Sequence, residues 1–301
     1  MTPLQRYLAE EIATDHLDGL LSRREALRRL GLMGIGAAAG AALIAACAEA
    51  GVDGPAATGP GATPATSPPP GAESALPTTP ISWPGPRGEL RGAWAGAPEP
   101  RGGVLVIHEN KGLNDYIRSV AGRFAGIGYS ALAIDLLSAQ GGTAAFGDPA
   151  AATAALSQID PAEFVANLKS GIGEVQRRVP DRKLAVVGFC MGGGLVWRLL
   201  ASGVPELAAA VPFYGPTPDN PDFTGSRDVA VLAFYGALDQ RVNATEPVAR
   251  SALEKAGMVH ELITEPDANH AFFNDTGDRY DPAAAADAWR RVRDWFAQHL
   301  G

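Results

Sequence analysis

Apolar runs of strand length alternate with segments of helical spacing along most of the chain. The strand-like runs are GVLVIHE (103–109), YSALAID (129–135), KLAVVGF (183–189), LAAAVPFY (207–214), DVAVLAFYG (228–236) and VHELIT (259–264). Helical spacing is found over residues 115–125, 160–179, 191–201, 247–256 and 282–298. Continuous apolar strands that alternate with helices predict an α/β fold with a mostly parallel central sheet and helices on both faces.

Two shorter segments precede this alternation. ISW (81–83) and LRGAWA (90–95) flank the turn-forming sequence Gly-Pro-Arg-Gly, which predicts an N-terminal antiparallel hairpin at one edge of the sheet. Residues 81–301 are long enough to bury a sizeable core, so we expect one folded domain there. Open parallel sheets bind their ligands at the carboxyl ends of the strands, so catalytic residues are expected at those positions.

The segment before the hairpin has a different composition. Residues 48–80 contain 8 prolines and 5 glycines and show no apolar periodicity. A segment of this kind cannot form a core, and we predict a disordered or semi-extended tether over 48–80.

Residues 1–47 have the pattern of an export signal. A basic patch (Arg23, Arg24, Arg28 and Arg29) precedes 17 uncharged residues, 30–46, and then Cys47. This run is short for a spanning helix and contains four glycines. Ser22-Arg23-Arg24-Glu25-Ala26-Leu27 resembles a twin-arginine signal, although Ala26 stands where an aromatic residue is usual.

Ile44-Ala45-Ala46-Cys47 resembles a bacterial lipobox, which implies cleavage before Cys47 and lipidation of its sulfur. The prediction is an exported, extracytoplasmic lipoprotein that a lipid anchor holds on the membrane. An uncleaved anchor, or cleavage within 48–50 without a lipid, are the alternatives. Leu4, Leu8, Ile12 and the pair Leu20 and Leu21 lie near helical spacing, which indicates a short amphipathic helix of unassigned function.

Charge and cysteine content exclude two classes of protein. The net charge is −8 and residues 81–301 contain no basic cluster, so no nucleic-acid partner is expected. Cys47 and Cys190 are the only cysteines, and they cannot form a disulfide framework.

Cys190 lies in the sequence GFCMGGG, residues 188–194, between a predicted strand and a predicted helix. This is the G-x-nucleophile-x-G elbow with cysteine in the usual place of serine. The flanking glycines suit a strained turn, and the following helix N-terminus favours a thiolate and a developing oxyanion. A lone cysteine in a fold is more often a small buried hydrophobe, so the motif alone does not establish a nucleophile.

Two later residues strengthen this interpretation. Asp239 in FYGALDQRV and His270 in PDANHAFF each follow a predicted strand. The chain order nucleophile, acid, histidine is that of α/β-hydrolases. We predict that His270 accepts the thiol proton and that Asp239 orients the imidazole. If each residue is considered without the other, Asp239 could be a loop-capping residue and His270 could be a surface histidine.

The chain resembles the dienelactone hydrolase family from about residue 81 to 299. The resemblance depends on GFCMGGG, FYGALDQRV, NHAFFND and the sequence VLVIHENKGLNDYIRSVAGRFAGIGYSALAIDLL. It implies an α/β-hydrolase fold and hydrolysis of a cyclic enol-lactone without a metal or other cofactor. It also implies that Cys190, Asp239 and His270 form the catalytic triad.

The resemblance assigns further residues. It implies that Glu109 bonds the resting thiol until substrate displaces it; a solvated loop acid is the alternative. The backbone N–H groups of Met191 and Asn110 would form the oxyanion hole. Tyr214 would line the pocket, or would be an ordinary core tyrosine.

One position departs from the family. Dienelactone-cleaving members typically bind the substrate carboxylate with arginines, one of them four residues after the histidine, where this chain has Asn274. Lys111, Arg118 or Arg279 could substitute. The prediction is therefore a hydrolase of a small-molecule carboxylic ester or lactone. A broader extracytoplasmic carboxylesterase and a non-catalytic tethered binding lipoprotein remain as alternatives.

Overall fold

The computed structural model describes residues 1–50 and 68–301. Eight strands form one sheet in the order β1-β2-β4-β3-β5-β6-β7-β8. The strands are β1 (Thr79–Gly85), β2 (Gly88–Ala95), β3 (Gly102–Ile107), β4 (Tyr129–Asp135), β5 (Leu184–Phe189), β6 (Leu207–Phe213), β7 (Ala230–Gly236) and β8 (His260–Glu265). Strands β3 to β8 are parallel, and β2 pairs antiparallel with both β1 and β4. The predicted α/β-hydrolase fold and its edge hairpin are confirmed.

Ten α-helices lie within the described ranges. They are α1 (Pro3–Leu17), α2 (Arg23–Leu32), α3 (Ala37–Ala50), α4 (Asp115–Gly126), α5 (Pro149–Ser157), α6 (Pro161–Arg178), α7 (Met191–Ala201), α8 (Gln240–Asn243), α9 (Glu246–Ala256) and α10 (Pro282–His299). Five of them (α4, α6, α7, α9 and α10) match the predicted helical segments within one or two residues. The Ala-rich α5 and the one-turn α8 were not predicted.

The sheet core explains why the strand prediction succeeded. Every residue of β3, β4, β5 and β7 is buried, because helices cover both faces. Such strands are continuous apolar runs rather than alternating ones. Strands β3, β5, β6, β7 and β8 are neighbours in the sheet, so the loops after them converge at one edge.

The N-terminal segment, residues 1–50, folds against the hydrolase domain as α1, α2 and α3. Helix α1 begins with a capping box. The Thr2 hydroxyl accepts from the backbone N–H of Gln5, the Gln5 side chain accepts from the backbone N–H of Thr2, and Pro3 is the first residue of the helix. The predicted apolar stripe is buried, with Leu8 fully enclosed, whereas Leu20 lies beyond the helix and is 38% exposed. Within the described residues, no helix combines the length and apolarity needed to cross a bilayer.

The structure differs from the tether predicted over 48–80 at both ends of that range. Residues 48–50 continue α3, and residues 51–67 lie outside the described residues. Residues from 68 onward lie against the domain: the backbone N–H of Leu76 donates to Gly122 O at 3.0 Å, and Gly126 closely approaches the carbonyl oxygen of Ser74. The composition of 68–80 was therefore misleading, since prolines and glycines also suit an extended segment that packs on a surface.

Candidate active site

Cys190 occupies a strained turn between β5 and α7. Its backbone has φ 54° and ψ −117°, a conformation that L-residues rarely adopt. A Cβ on Gly188 would lie 2.2 Å from the carbonyl oxygen of Gly192, and one on Gly192 would lie 2.5 Å from that of Ile107. The two glycines of the G-x-C-x-G sequence are therefore required by close backbone contacts. The turn projects the cysteine from the strand end at the start of a helix, as the motif predicts.

The environment of the thiol opposes its ionisation. Cys190 is 2% exposed, and burial, followed by the negative charges of Glu11 and Glu109, raises its pKa well above the usual value. The backbone N–H of Met191 hydrogen-bonds the sulfur and favours the thiolate, but this effect is smaller. In this conformation the sulfur is therefore a protonated thiol. The predicted oxyanion-hole function of the Met191 and Asn110 N–H groups stays a prediction.

His270 and Asp239 form a short hydrogen bond next to this turn. His270 Nδ1 lies 2.6 Å from Asp239 Oδ2, and both side chains are buried. The loops that hold them are tied together, since the backbone N–H of Leu238 donates to Ala268 O at 2.9 Å. Asp239 also caps α8, because its Oδ1 accepts from the backbone N–H of Val242 at 3.2 Å. The two interpretations of Asp239, helix cap and histidine partner, thus describe the same side chain.

The pKa values of this pair shift in opposite directions. Burial disfavours the charged forms of both groups, but each group's charge stabilises the other. The pKa of His270 is consequently raised and that of Asp239 is lowered. A histidine with this partner can accept a proton through Nε2 while Asp239 supports the imidazolium.

The carboxylate at the thiol differs from the expectation. Cys190 Sγ lies 3.3 Å from Glu11 Oε2 and 3.4 Å from Glu11 Oε1, and it lies 3.4 Å from the hydroxyl of Tyr7. Both contacts come from α1, which is 179 or more positions away in the chain. Glu109, the residue that the resemblance placed on the thiol, is engaged elsewhere.

Glu109 follows β3 and is 6% exposed. Asn274 Nδ2 donates to its Oε2 at 2.7 Å, and the Tyr214 hydroxyl donates to its Oε1 at 3.5 Å. Burial raises the pKa of Glu109 to about 7, against the opposing effects of Lys111 and His270. The solvated-acid alternative for Glu109 is excluded by this burial, while its catalytic function stays a prediction.

Tyr214 and Asn274 therefore both lie at the site. Tyr214 is fully buried, and its ring meets the His270 ring edge-on with the centroids 5.2 Å apart. Asn274 lacks the positive charge of an arginine, and its amide nitrogen already donates one hydrogen bond to Glu109.

A cavity of about 270 Å³ opens beside the thiol and is lined by both the N-terminal segment and the hydrolase domain. Of the three cations considered as substitutes for the missing arginine, Lys111 and Arg279 line this cavity and Arg118 does not. Arg279 is paired with Asp15 at 2.8 Å and Asp18 at 2.6 Å, both in the N-terminal segment.

Three residues of the site were missed in the sequence. Glu11 and Tyr7 contact the sulfur, and the Arg241 guanidinium lies 4.4 Å from the centroid of the Tyr7 ring. Arg241 stands two positions after Asp239, so its proximity could have been noticed. Glu11 and Tyr7 gave no such signal, because they lie in a segment whose sequence pattern indicates an export signal.

Glu11, Cys190 and His270 are also the one group of metal-ligating side chains found among the described residues, with their ligand atoms all within 4.8 Å of one another. Carboxylate, thiolate and imidazole are zinc ligands in other proteins. The expectation of a metal-free reaction stays a prediction.

The sheet topology, the strained elbow at Cys190 and the histidine–aspartate pair together define an α/β-hydrolase. Residues 90–300 match the model of the dienelactone hydrolase family, and the chain belongs to that family.

Individual relatives agree with this assignment. The chain is 33% identical over 210 residues to the "Putative carboxymethylenebutenolidase" of Escherichia coli O157:H7, covering 66% of this chain and 77% of the relative. The crystal structure of a "Putative Dienelactone Hydrolase" from Klebsiella pneumoniae is 30% identical with a TM-score of 0.63, covering 73% of this chain and 99% of that one. A dienelactone hydrolase-like promiscuous phosphotriesterase from metagenomic libraries is 26% identical with a TM-score of 0.66, covering 75% and 100% respectively.

Proposed function

We propose that the protein hydrolyses carboxylic esters or lactones through Cys190, His270 and Asp239. The observation that carries this proposal is the 2.6 Å hydrogen bond between His270 Nδ1 and Asp239 Oδ2 beside a cysteine on a nucleophile elbow. This bond leaves Nε2 as the ring nitrogen that can exchange a proton with the sulfur.

In the first half of the reaction, His270 Nε2 takes the thiol proton and Cys190 Sγ attacks the carbonyl carbon. The carbonyl oxygen becomes an oxyanion, which the Met191 and Asn110 N–H groups stabilise. The C–O bond to the leaving group then breaks. The imidazolium protonates the leaving alcohol or enol, and a thioester on Cys190 remains.

In the second half, His270 takes a proton from water, and the resulting hydroxide attacks the thioester carbonyl. The C–S bond breaks, the carboxylic acid leaves, and the sulfur regains its proton from His270. Asp239 supports the imidazolium in both halves, because its pKa is lowered and it stays charged.

Glu109 acts on the ionisation of the sulfur in this scheme. Its charge is the third-largest contribution that raises the thiol pKa, and its own pKa of about 7 lets it become neutral near physiological pH. Loss of the Glu109 charge favours the thiolate, so a substrate that displaces this carboxylate would assist attack.

The substrate is a small ester or lactone. Lys111 and Arg279 line the cavity, and either could bind an anionic group of a dienelactone-type substrate. The bonded amide of Asn274 in place of an arginine instead favours a broader carboxylesterase. We keep dienelactone hydrolysis as the first candidate because the family match covers residues 90–300.

The test is turnover of p-nitrophenyl acetate and of cis-dienelactone. Both are measured on the full chain and on the chain cut at a protease site inserted within 51–67, because α1 covers Cys190. Cys190→Ala should abolish turnover, and mass spectrometry should find an acyl group on Cys190 in the wild type. Turnover that persists in Cys190→Ala would show that the nucleophile is wrong. If no form cleaves either ester, the protein is better described as a binding lipoprotein.

Export and lipidation are proposed from the N-terminal pattern alone. Labelled palmitate should enter the wild-type chain in an exporting bacterial host and should not enter Cys47→Ser. Label in both proteins would contradict attachment at Cys47.

A further inference from the structure

We propose that α1 is an internal ligand of the active site, which keeps Cys190 covered and inactive until the N-terminal segment is removed. The inhibition rests on the proposed hydrolase function, whereas the covering of the thiol does not. The occupant of the site is thus a segment of this chain, and the surface that binds it is the edge of the sheet where the catalytic loops meet.

The first line of evidence is what Glu11 does to the reacting atoms. Its carboxylate accepts from the thiol at 3.3 Å and lies 4.0 Å from His270 Nε2, between the nucleophile and its base. Asn110 Nδ2 holds the same carboxylate at 2.9 Å. A carbonyl attacked by the sulfur has to lie close to these same atoms, so we infer that Glu11 competes with substrate for the space.

The second line is charge complementarity. The acids Glu11, Asp15 and Asp18 all lie on the inhibiting segment, and the cation that pairs with the latter two, Arg279, lies on the hydrolase domain. Arg279 lines the cavity and is one of the two cations there that we propose for a substrate anion. The segment therefore places negative charges at a cavity whose Arg279 can pair with an anion.

The third line is the apolar packing that holds the helix in place. Leu8, Ala9 and Ala13 are fully buried, and Ile12 is 4% exposed, on a helix that packs on α2 and α3 of its own segment and on α5 of the hydrolase domain. Tyr7 adds a cation–π contact to Arg241, and Arg28 of α2 bonds Asp148 at 2.8 Å. The N-terminal segment therefore contacts the hydrolase domain through several side chains and not through Glu11 alone.

The fourth line is what the interface leaves unpaired. Within the described residues, no protein group hydrogen-bonds the buried Nε2 of His270 or the Nε and Nη1 atoms of Arg241. Permanent protein cores usually pair such groups. Helix α1 thus buries these atoms without giving them hydrogen-bond partners. We expect this if the site also binds another occupant, the substrate.

The position of α1 in the chain supplies a way to remove it. It precedes Cys47, before which the lipobox-like sequence predicts cleavage. Hydrolysis of the bond between residues 46 and 47 consumes one water and leaves a carboxylate on Ala46 and an amine on Cys47. The segment that carries Glu11 is then no longer covalently attached, so processing at export would also activate the enzyme.

The test uses the full chain with a protease site inserted within 51–67. The chain is cut at this site, and the N-terminal segment is then separated from the hydrolase domain. One measurement is the rate at which iodoacetamide alkylates Cys190, followed by mass spectrometry of the Cys190 peptide; it requires no turnover. The other is p-nitrophenyl acetate hydrolysis. We expect both rates to rise about tenfold or more, the order of effect of losing one hydrogen bond to a charged group.

A synthetic peptide of residues 1–21 should then restore the slow rates. The Glu11→Ala peptide should fail to do so, whereas the Glu10→Ala peptide should inhibit like the wild type. Glu10 is the matched control because it is the neighbouring glutamate and makes no side-chain hydrogen bond to the described residues. In the uncut chain, the double variant Asp15→Asn, Asp18→Asn should also accelerate alkylation, since Arg279 loses both partners.

The proposal would be overturned by alkylation that is unchanged after the segment has been separated, or by a Glu11→Ala peptide that inhibits as well as the wild type. Cys190-dependent hydrolysis that is equal before and after cutting would also overturn it and would leave the proposed function intact. Faster alkylation without hydrolysis in any form would support the covering of the thiol and would contradict the proposed function.

Discussion

The side-chain amide of Asn274 donates a 2.7 Å hydrogen bond to Oε2 of Glu109, in the buried corner of the site behind the thiol. This bond favours the charged form of the carboxylate, whereas burial favours the neutral form and dominates. Asn274 thus favours the charged form of Glu109 while it also lines the cavity beside the thiol.

We expect Asn274→Ala to raise the pKa of Glu109 above its value of about 7, because a hydrogen bond to the charged form is lost. The measurement is the infrared absorption of the protonated carboxyl group as a function of pH. Glu109→Gln should lack that transition and identifies the band. An unchanged or lower transition pH in Asn274→Ala would contradict the interaction.

The raised pKa of Glu109 also predicts how stability depends on pH. Between the usual value of 4.5 and about 7, the folded protein binds more protons at Glu109 than the unfolded chain does. The free energy of unfolding should therefore fall as pH rises through this window, by up to about 3 kcal/mol, and this contribution should be constant above it.

Urea unfolding of wild type and Glu109→Gln from pH 4.5 to 8 measures this effect. Burial raises the pKa of Glu265 to about 7 as well, so the difference between the two proteins isolates Glu109. That difference should shift in favour of Glu109→Gln as pH rises. A difference that does not vary with pH would show that the folded-state pKa of Glu109 is ordinary.

Local patterns predicted most of the fold. Strand β4 and helix α7 were predicted with their observed bounds because buried parallel strands and glycine-flanked helix starts leave clear marks in the sequence. Helix α5 was missed because PAAATAALS is almost uniformly small and apolar, so it has no polar face that would show a helical period.

The proposed catalytic residues and the covering helix also differ in how far local sequence patterns could predict them. Cys190, Asp239 and His270 each follow a strand, and parallel strands bring their carboxyl ends together whatever the intervening sequence. The spacing of Leu4, Leu8 and Ile12 indicated a buried face but not the surface it buries. The contact of Glu11 with Cys190 depends on docking between segments 179 positions apart, which no local pattern encodes.

The elbow glycines can be tested with a pair of equal substitutions. Gly192→Ala would place a Cβ 2.5 Å from the carbonyl oxygen of Ile107 and 2.7 Å from that of His108, so the backbone around Cys190 must move. We expect a loss of stability of several kcal/mol, and loss of alkylation selectivity at Cys190 if the protein folds. Gly173→Ala in α6 is the control, since Gly173 is exposed with open space around it and alanine should stabilise the helix by about 0.5–1 kcal/mol. Thermal unfolding of both variants makes the comparison; equal melting temperatures would contradict the steric argument.

The bond between Asp239 and His270 provides the most direct test of the proposed chemistry. Asp239→Asn keeps the size of the side chain and can still accept from the backbone N–H of Val242, but it cannot stabilise an imidazolium. We expect turnover of p-nitrophenyl acetate by the cut chain to fall by about 10³–10⁴-fold, the order seen when a triad carboxylate is neutralised.

Asp160→Asn is the matched control for Asp239→Asn. Asp160 caps α6 by accepting from the backbone N–H of Ala162 at 2.7 Å, so the change has the same chemistry at a helix cap that takes no part in the site. Its turnover should stay within about twofold of the wild type, since caps of this kind affect stability by about 1 kcal/mol.

The pKa of His270 gives a second measurement on Asp239→Asn. We expect this substitution to lower the pKa of His270, because the largest contribution that raises it is removed. An NMR titration of the His270 ring measures that pKa. A value unchanged from the wild type, together with undiminished turnover, would show that the hydrogen bond serves the fold and not the reaction.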